Sequence, residues 1–347
     1  MKAVDRSYAW MILGTFLSLF VTYPRAGAQS NATQIVLRGA RLIDGIGQQA
    51  IENSVLVIEG DHIVASGKAA TVSILKDADM KDVSGKTIMP ALINLHGHLG
   101  LSANGADSVA GHYTQENVLK QLNKYLSYGV ASVASLGQDE DEIYKIRDAQ
   151  RTGALGGARL YTAGRGFLEY TGKVNPADHR YRPQTPEEAR ADVRELAAHH
   201  PDFMKMWVDD GLGHGVKIKP EIYQAIIDEA HQQHIRVFAH EFYLVDAKAL
   251  LAAGIDGFAH SIRDQSVDSD VMQTMKARGV FLIPTLVRDE VLFAYTDNVK
   301  WLDNPFFQAE FEPAAMASAR SPENIEKPAM IRISPSTGQD SKWARKI

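Results

Sequence analysis

The chain is expected to fold as an α/β protein: a TIM-like (β/α) barrel lacking its eighth unit, with a small N-terminal β-sandwich segment. Three observations lead there. From Ala91 onward, short apolar runs alternate with amphipathic stretches of helical period, the rhythm of βα units on a parallel sheet. Seven such runs precede the point, after "IPTLVRDE", where the pattern fades. No Gly-x-Gly-x-x-Gly follows the first run, which argues against the alternative, a doubly wound open sheet.

The elements follow in order. Residues 1–28 read as a secretory signal peptide: Lys2 and Arg6, an apolar stretch from Ala9 to Val21, then the small cleavage residues Ala26, Gly27 and Ala28. The apolar stretch falls short of the ~20 residues a membrane-spanning helix needs. An exported protein, periplasmic or extracellular and free of the membrane after cleavage, is the expectation. Residues 29–88 alternate and turn often ("QIVLRGARLIDG", "SVLVIEGDHIVASG", "KDVSGKTIMP") and read as short antiparallel strands of the sandwich, with a tight turn at Gly60-Asp61. Residues 89–295 make the barrel. Its strands are expected at 91–96, 130–137, 158–164, 202–208, 236–242, 257–262 and 280–287. Between them, helices are expected at 115–128, 140–151, 186–199, 220–233, 245–253 and 268–278. Thr185-Pro186-Glu187-Glu188 gives one a clean start, with an N-cap threonine, proline at the first position and a capping-box glutamate. The acidic run 139–142 reads as a solvated helix N-terminus. Residues 296–347 are expected to be an irregular tail.

Composition narrows the chemistry. A net charge of −5 and no basic stripe give nucleic acid no footing, so the expected partner is a small-molecule substrate, with self-association left open. No cysteine is present, which removes disulfides, thiolate nucleophiles and Cys-based zinc sites. A metal would have to be held by histidine, carboxylate or a modified side chain.

In "ALINLHGHLG", His96 and His98 stand two apart at the end of the first barrel strand, so they share a face, either as half of a metal site or as a hydrogen-bonded core pair. His240 ends "RVFAH" and His260 ends "GFAH", and strand ends of a barrel share one rim. Lys205 lies among Phe203, Met204, Met206 and Trp207, where an ammonium is costly to desolvate. It either snorkels to the rim or is an amine of depressed pKa able to add carbon dioxide and become an anionic, bidentate ligand.

His-x-His after the first strand, Lys after the fourth, and His after the fifth and sixth resemble the amidohydrolase superfamily. Within it, the chain is similar to the imidazolonepropionase-like and prolidase-like branch over roughly residues 34–295. The resemblance implies a metal-dependent hydrolase of C–N bonds. His96 and His98 would hold the more buried of two zinc ions, Lys205 as N6-carboxylysine would bridge both, and His240 and His260 would hold the more exposed one. A hydroxide between the ions would attack the carbonyl. The bridging lysine favours the prolidase-like side.

Two departures accompany the resemblance. Ala91 and Asn94 replace the usual glycine and aspartate before the histidine pair. The family's aspartate after the eighth strand, which ligates metal and shuttles the proton, has no counterpart before Ile347; Asp289, Asp297 and Asp340 sit in the wrong context. A truncated homologue is therefore expected, with a loss of ~10²–10⁴ in rate from the missing proton shuttle. Two other readings stand beside C–N hydrolysis: a chain that binds metal or ligand without turnover, and an esterase or lactonase. Substrate contacts are expected from His112 and Tyr113 on the loop after the first strand, and from Arg165, Arg263 and Arg288, which could clamp a carboxylate or form ordinary salt bridges.

Overall fold

The computed structural model describes residues 34–103, 106–107, 111–172, 178–287 and 300–321. The expected signal peptide, Arg288, Asp289, Asp297 and Asp340 lie outside the described residues. The chain divides into two compact units, at Pro90 and Ala91.

In the first unit, β1 (Ile35–Leu42), β2 (Ile51–Glu59), β3 (His62–Lys68), β4 (Asp79–Asp82) and β5 (Thr87–Ile88) form one sheet in the order β3-β2-β1-β4, with β5 also on β1. β1, β2 and β3 are antiparallel neighbours, and Gly60 takes the positive φ that the turn between β2 and β3 requires. The strands of "KDVSGKTIMP" depart from expectation: β4 and β5 run parallel to β1. The reason lies in residues 69–78, a connection that carries the chain back so that both strands enter beside β1 in its own direction. Val36, Val55 and Val57, alternating inward, are the buried centre of this sheet.

In the second unit, β6 (Leu92–Gly97) leads through a small hairpin, β7 (Ser102–Ala103) and β8 (Ala106–Asp107), into a regular βα series. Its helices are α1 (Gln115–Ser127), α2 (Glu142–Arg151), α3 (Pro186–Ala197), α4 (Pro220–Gln232), α5 (Leu244–Ala253) and α6 (Ser269–Arg278). Its strands are β9 (Val130–Ser135), β10 (Arg159–Thr162), β11 (Met204–Trp207), β12 (Val237–His240), β13 (Gly257–Phe258) and β14 (Phe281–Leu282). All pairs among β6 and these strands are parallel, in two runs, β10-β9-β6 and β11-β12-β13-β14, and Phe167, beyond the end of β10, makes a parallel bridge to Met206 of β11. No strand follows β14 among the described residues.

Period-two alternation sorts these strands onto two cores. Met204, Met206, Val237 and Ala239 join the large core against the helices, with Ile226 of α4 and Leu250 of α5. Phe238, between Val237 and Ala239, joins Leu136, Ala259 and Ile283 in a second cluster on the opposite face. Lys205 is in register with Phe238, and His240 lies two residues beyond it, so both belong to that second face. Helix starts are set locally. Thr185 Oγ1 accepts from Glu188 N–H at 3.1 Å, while the Glu188 carboxylate reaches back to Gln184 N–H at 2.7 Å, one residue earlier than a capping box would place it.

The expected irregular tail is in part helical. Asn304 caps a helix at Pro305–Glu310, and a second follows at Pro313–Ala319. Proline at the first position of each fixes φ at a helical value, and Phe306, Phe307 and Phe311 supply the apolar contacts.

Candidate active site

His96 and His98 follow from the end of β6, Lys205 from β11, His240 from the last residue of β12 and His260 from just beyond β13. The four imidazoles lie in one chain of contact. Ring centroids are 5.1 Å apart for His96 and His98, 4.6 Å for His96 and His260, and 4.2 Å for His240 and His260. Nδ1 of His96 donates to the Ala259 carbonyl at 2.7 Å, and Nδ1 of His98 donates to the Gly137 carbonyl. A carbonyl can only accept, so both rings carry their proton on Nδ1 and present a bare Nε2. Those two Nε2 atoms face each other at 3.2 Å. With no proton between them, two lone pairs at that distance repel; two nitrogens sharing one tetrahedral zinc at ~2.0–2.1 Å stand at about this separation. Beyond this pair, no group of three or more His, Asp or Glu side chains among the described residues stands in position to hold a metal ion. Lys205 supplies the remaining atom of interest.

Lys205 is fully buried, and its Nζ has no hydrogen-bond partner among the described residues. It lies 4.5 Å from the centre of the Trp207 ring. Burial pulls its pKa down to about 7, against smaller opposing effects of the Glu241 and Asp209 charges. The imidazoles respond in the same sense. Burial, then the nearby Lys205 charge, lowers His96 to about 2 and His98 to about 4. Burial and the His240 charge push His260 far below the ordinary range. His240 is also lowered by burial, although Nε2 is hydrogen-bonded to Asp209 Oδ2 at 2.5 Å. All four rings are thus neutral, the form that binds metal.

Several residues of this site were not singled out from the sequence. Asp209, two residues past β11, orients His240; burial pushes its carboxyl up, but the hydrogen bond from His240, with those of neighbouring groups, outweighs that and holds it low. Glu241 is fully buried with neither carboxylate oxygen partnered among the described residues, and burial raises its pKa well above the usual carboxylate range. Arg180 stacks on Trp207 at 5.1 Å and is held bidentately by Asp178. Asp209 and Glu241 had one signal, their place just past a strand end; Arg180 had none. Asp139 corrects an expectation. It is not a solvated helix-terminal acid but is 1% exposed, accepting from Ser135 Oγ at 2.6 Å, Thr162 Oγ1 at 2.5 Å and Tyr113 Oη at 3.0 Å.

Of the residues expected to touch substrate, Tyr113 turns inward, its hydroxyl engaged by Asp139. His112 has a buried Nδ1 with no partner among the described residues. Arg165 is bound bidentately by Asp141 at 3.1 and 2.7 Å, an ordinary ion pair. Arg263 donates to the Glu241 carbonyl at 3.2 Å and lies over the Phe242 ring.

No family model matches the chain. It is 27% identical over 212 residues to uncharacterized proteins of Mycobacterium bovis and Mycobacterium tuberculosis, over 59% of this chain and 52% of theirs. The chain thus spans about half the length of the curated relatives it matches. Solved structures resemble it more broadly. A prolidase complexed with N-methylphosphonate-L-proline superposes with a TM-score of 0.62 at 22% identity, over 86% of this chain and 74% of the other. A Xaa-Pro dipeptidase with bound methionine gives 0.62 at 21%, over 88% and 77%. An amidohydrolase gives 0.63 at 20%, over 90% and 76%. With its parallel strands and the likeness these structures share, the chain has the fold of the amidohydrolases of prolidase type.

Proposed function

We propose that the chain is a metal-dependent hydrolase of C–N bonds, acting on amide, peptide-like or cyclic amide substrates. The observation that carries this reading is the gathering of four neutral imidazoles in mutual contact, all of them within the electrostatic reach of a buried amine that has no hydrogen-bond partner among the described residues. On this reading the parallel strands are seven units of a barrel, residues 29–88 are the N-terminal part of a β-sandwich, and residues 1–28 export the chain to the periplasm or beyond.

The residues fit a pair of divalent cations, zinc by donor type. His96 and His98 would hold one through their bare Nε2 atoms, and His240 and His260 would hold a second. Neutral Lys205 Nζ would add to carbon dioxide: an N–C bond forms, one C=O π pair moves onto oxygen, and an N–H proton passes to water. The carbamate would replace a cation-repelling ammonium by a carboxylate whose one negative charge is shared over two oxygens, and would leave no bare amine buried. Bound metal would supply Lewis acidity and an acidified water.

The chain's own residues do the remaining work. The Ala259 and Gly137 carbonyls fix the planes and tautomers of His96 and His98, and Asp209 does so for His240. Burial of Lys205 and His260, 0% and 5% exposed, keeps bulk water from the rear of the site. Hydrolysis consumes one water: the acyl carbon–nitrogen bond breaks, a carbon–oxygen bond forms, and the nitrogen leaves with a proton.

The test is turnover of a panel of dipeptides, N-acyl amino acids, cyclic amides, esters and lactones before chelation, after chelation and after zinc is restored. Amide hydrolysis that vanishes and returns with zinc, and that falls ~100-fold or more in His98→Asn, is expected. Hydrolysis indifferent to chelation contradicts the reading, and cleavage of esters or lactones alone replaces C–N chemistry with the ester reading.

A further inference from the structure

We infer that the cavity beside His98 is a subsite for an aromatic group adjoining the scissile bond of the substrate; this inference rests on the hydrolase reading above. The cavity measures about 680 Å³ and lies between α1, the start of β9 and the helices at Pro305–Glu310 and Pro313–Ala319. That volume falls within the range of small-molecule sites. His98 forms part of its wall, so a group seated there is continuous with whatever lies against the imidazoles.

The wall chemistry selects the ligand. Tyr125, Tyr128, Trp301, Phe307 and Phe311 line one space. Their rings are already set against one another: Tyr128 and Phe307 stack at 6.2 Å, and Trp301 meets Phe307 edge-on at 5.4 Å. Such a wall offers faces and edges to a flat guest. Tyr125 is fixed by the hydrogen bond that its hydroxyl accepts from Asn94 at 3.1 Å. The Tyr128 hydroxyl is buried without a partner among the described residues, a donor left for a polar atom of the guest. The wall is also fastened. Lys120 pairs with Glu312, and Ser127 Oγ donates to Glu310 at 3.1 Å, which ties the segment bearing Phe307 and Phe311 to α1. Aliphatic side chains, by contrast, contribute little: Val130, Ala103 and Ala315 complete the apolar lining.

The experiment compares matched substrates on the zinc-loaded full chain: N-benzoylglycine against N-acetylglycine, and glycyl-phenylalanine against glycyl-alanine. A kcat/KM advantage of about tenfold or more for the aromatic member of one pair is expected, and Phe311→Ala reduces that ratio toward unity while Phe311→Tyr keeps it. Equal rates within both pairs overturn the subsite. Where no member is hydrolysed, calorimetric titration with N-benzoylglycine decides separately. Binding that Phe311→Ala weakens and Phe311→Tyr preserves supports the subsite while the hydrolase reading fails; absence of binding overturns the subsite.

Discussion

Lys205 brings an amine into the interior, where its Nζ lies 4.5 Å from the centre of the Trp207 ring and has no hydrogen-bond acceptor among the described residues. In the metal-free chain this is a cost, so Lys205→Met, which keeps length and removes the polar head, is expected to raise the stability of chelated protein by ~1–3 kcal/mol while abolishing hydrolysis. Urea unfolding of both chains measures it; a less stable methionine variant would show that the amine is satisfied. Asp139 poses a second residue-scale question. Its folded pKa is raised by burial from 3.8 to about 6, with the hydroxyls of Ser135, Thr162 and Tyr113 opposing. The protonated form is thus the one folding favours: its benefit is complete below about pH 4 and is lost as pH rises through 6. Relative to Asp139→Asn, the wild type should gain on the order of 2–3 kcal/mol as pH falls from 7 to 4, since one pK unit is about 1.4 kcal/mol. A constant difference across that span, in unfolding curves taken at each pH, contradicts it. The two residues also differ in how readable they were. Lys205 stood out because its strand neighbours are apolar. Asp139 sat among other acids, and the partners that bury it are 4, 23 and 26 residues away.

At the scale of elements, most of the βα series was legible because period and punctuation agree: proline opens α3 and α4, and Gly254 and Gly279 close α5 and α6 in the left-handed conformation. Thr185→Ala removes the α3 cap and is expected to cost about 1 kcal/mol by urea unfolding, with no change in metal content. An unchanged midpoint would mean that Glu188 suffices alone. The direction of β4 and β5 was not legible, because alternation reports which face is buried and not which way a strand runs. The helices at Pro305–Glu310 and Pro313–Ala319 were missed because each is under three turns, too short for a period to declare itself. Gly166 shows how elements meet at the site. Its φ is +73°, and a Cβ there would lie 2.8 Å from Trp207 Cζ3 and 3.0 Å from the Lys205 carbonyl oxygen. Gly166→Ala should therefore destabilise by ~2–3 kcal/mol and alter tryptophan fluorescence; a silent substitution would remove Trp207 from this packing.

Over the whole molecule, the parallel strands run from β6 to β14, and among the described residues each of these two pairs on one side only. Ile93 on β6 is 64% exposed and Leu95 50%, an apolar edge of the kind that seeks another strand. Ile93→Lys should reduce self-association in light scattering without affecting zinc content, and equal scattering would show that this edge is already covered. The rim at the strand ends is where the account stands or fails. The four histidines and Lys205 were legible one by one at those ends; their meeting needed the fold, since they span residues 96–260. The most direct measurement is zinc K-edge absorption on the metal-loaded full chain. The account predicts nitrogen and oxygen ligands at ~2.0–2.1 Å with imidazole outer-shell scattering that weakens in His98→Asn. Zinc surrounded by oxygen alone, or a spectrum unmoved by that substitution, would contradict it.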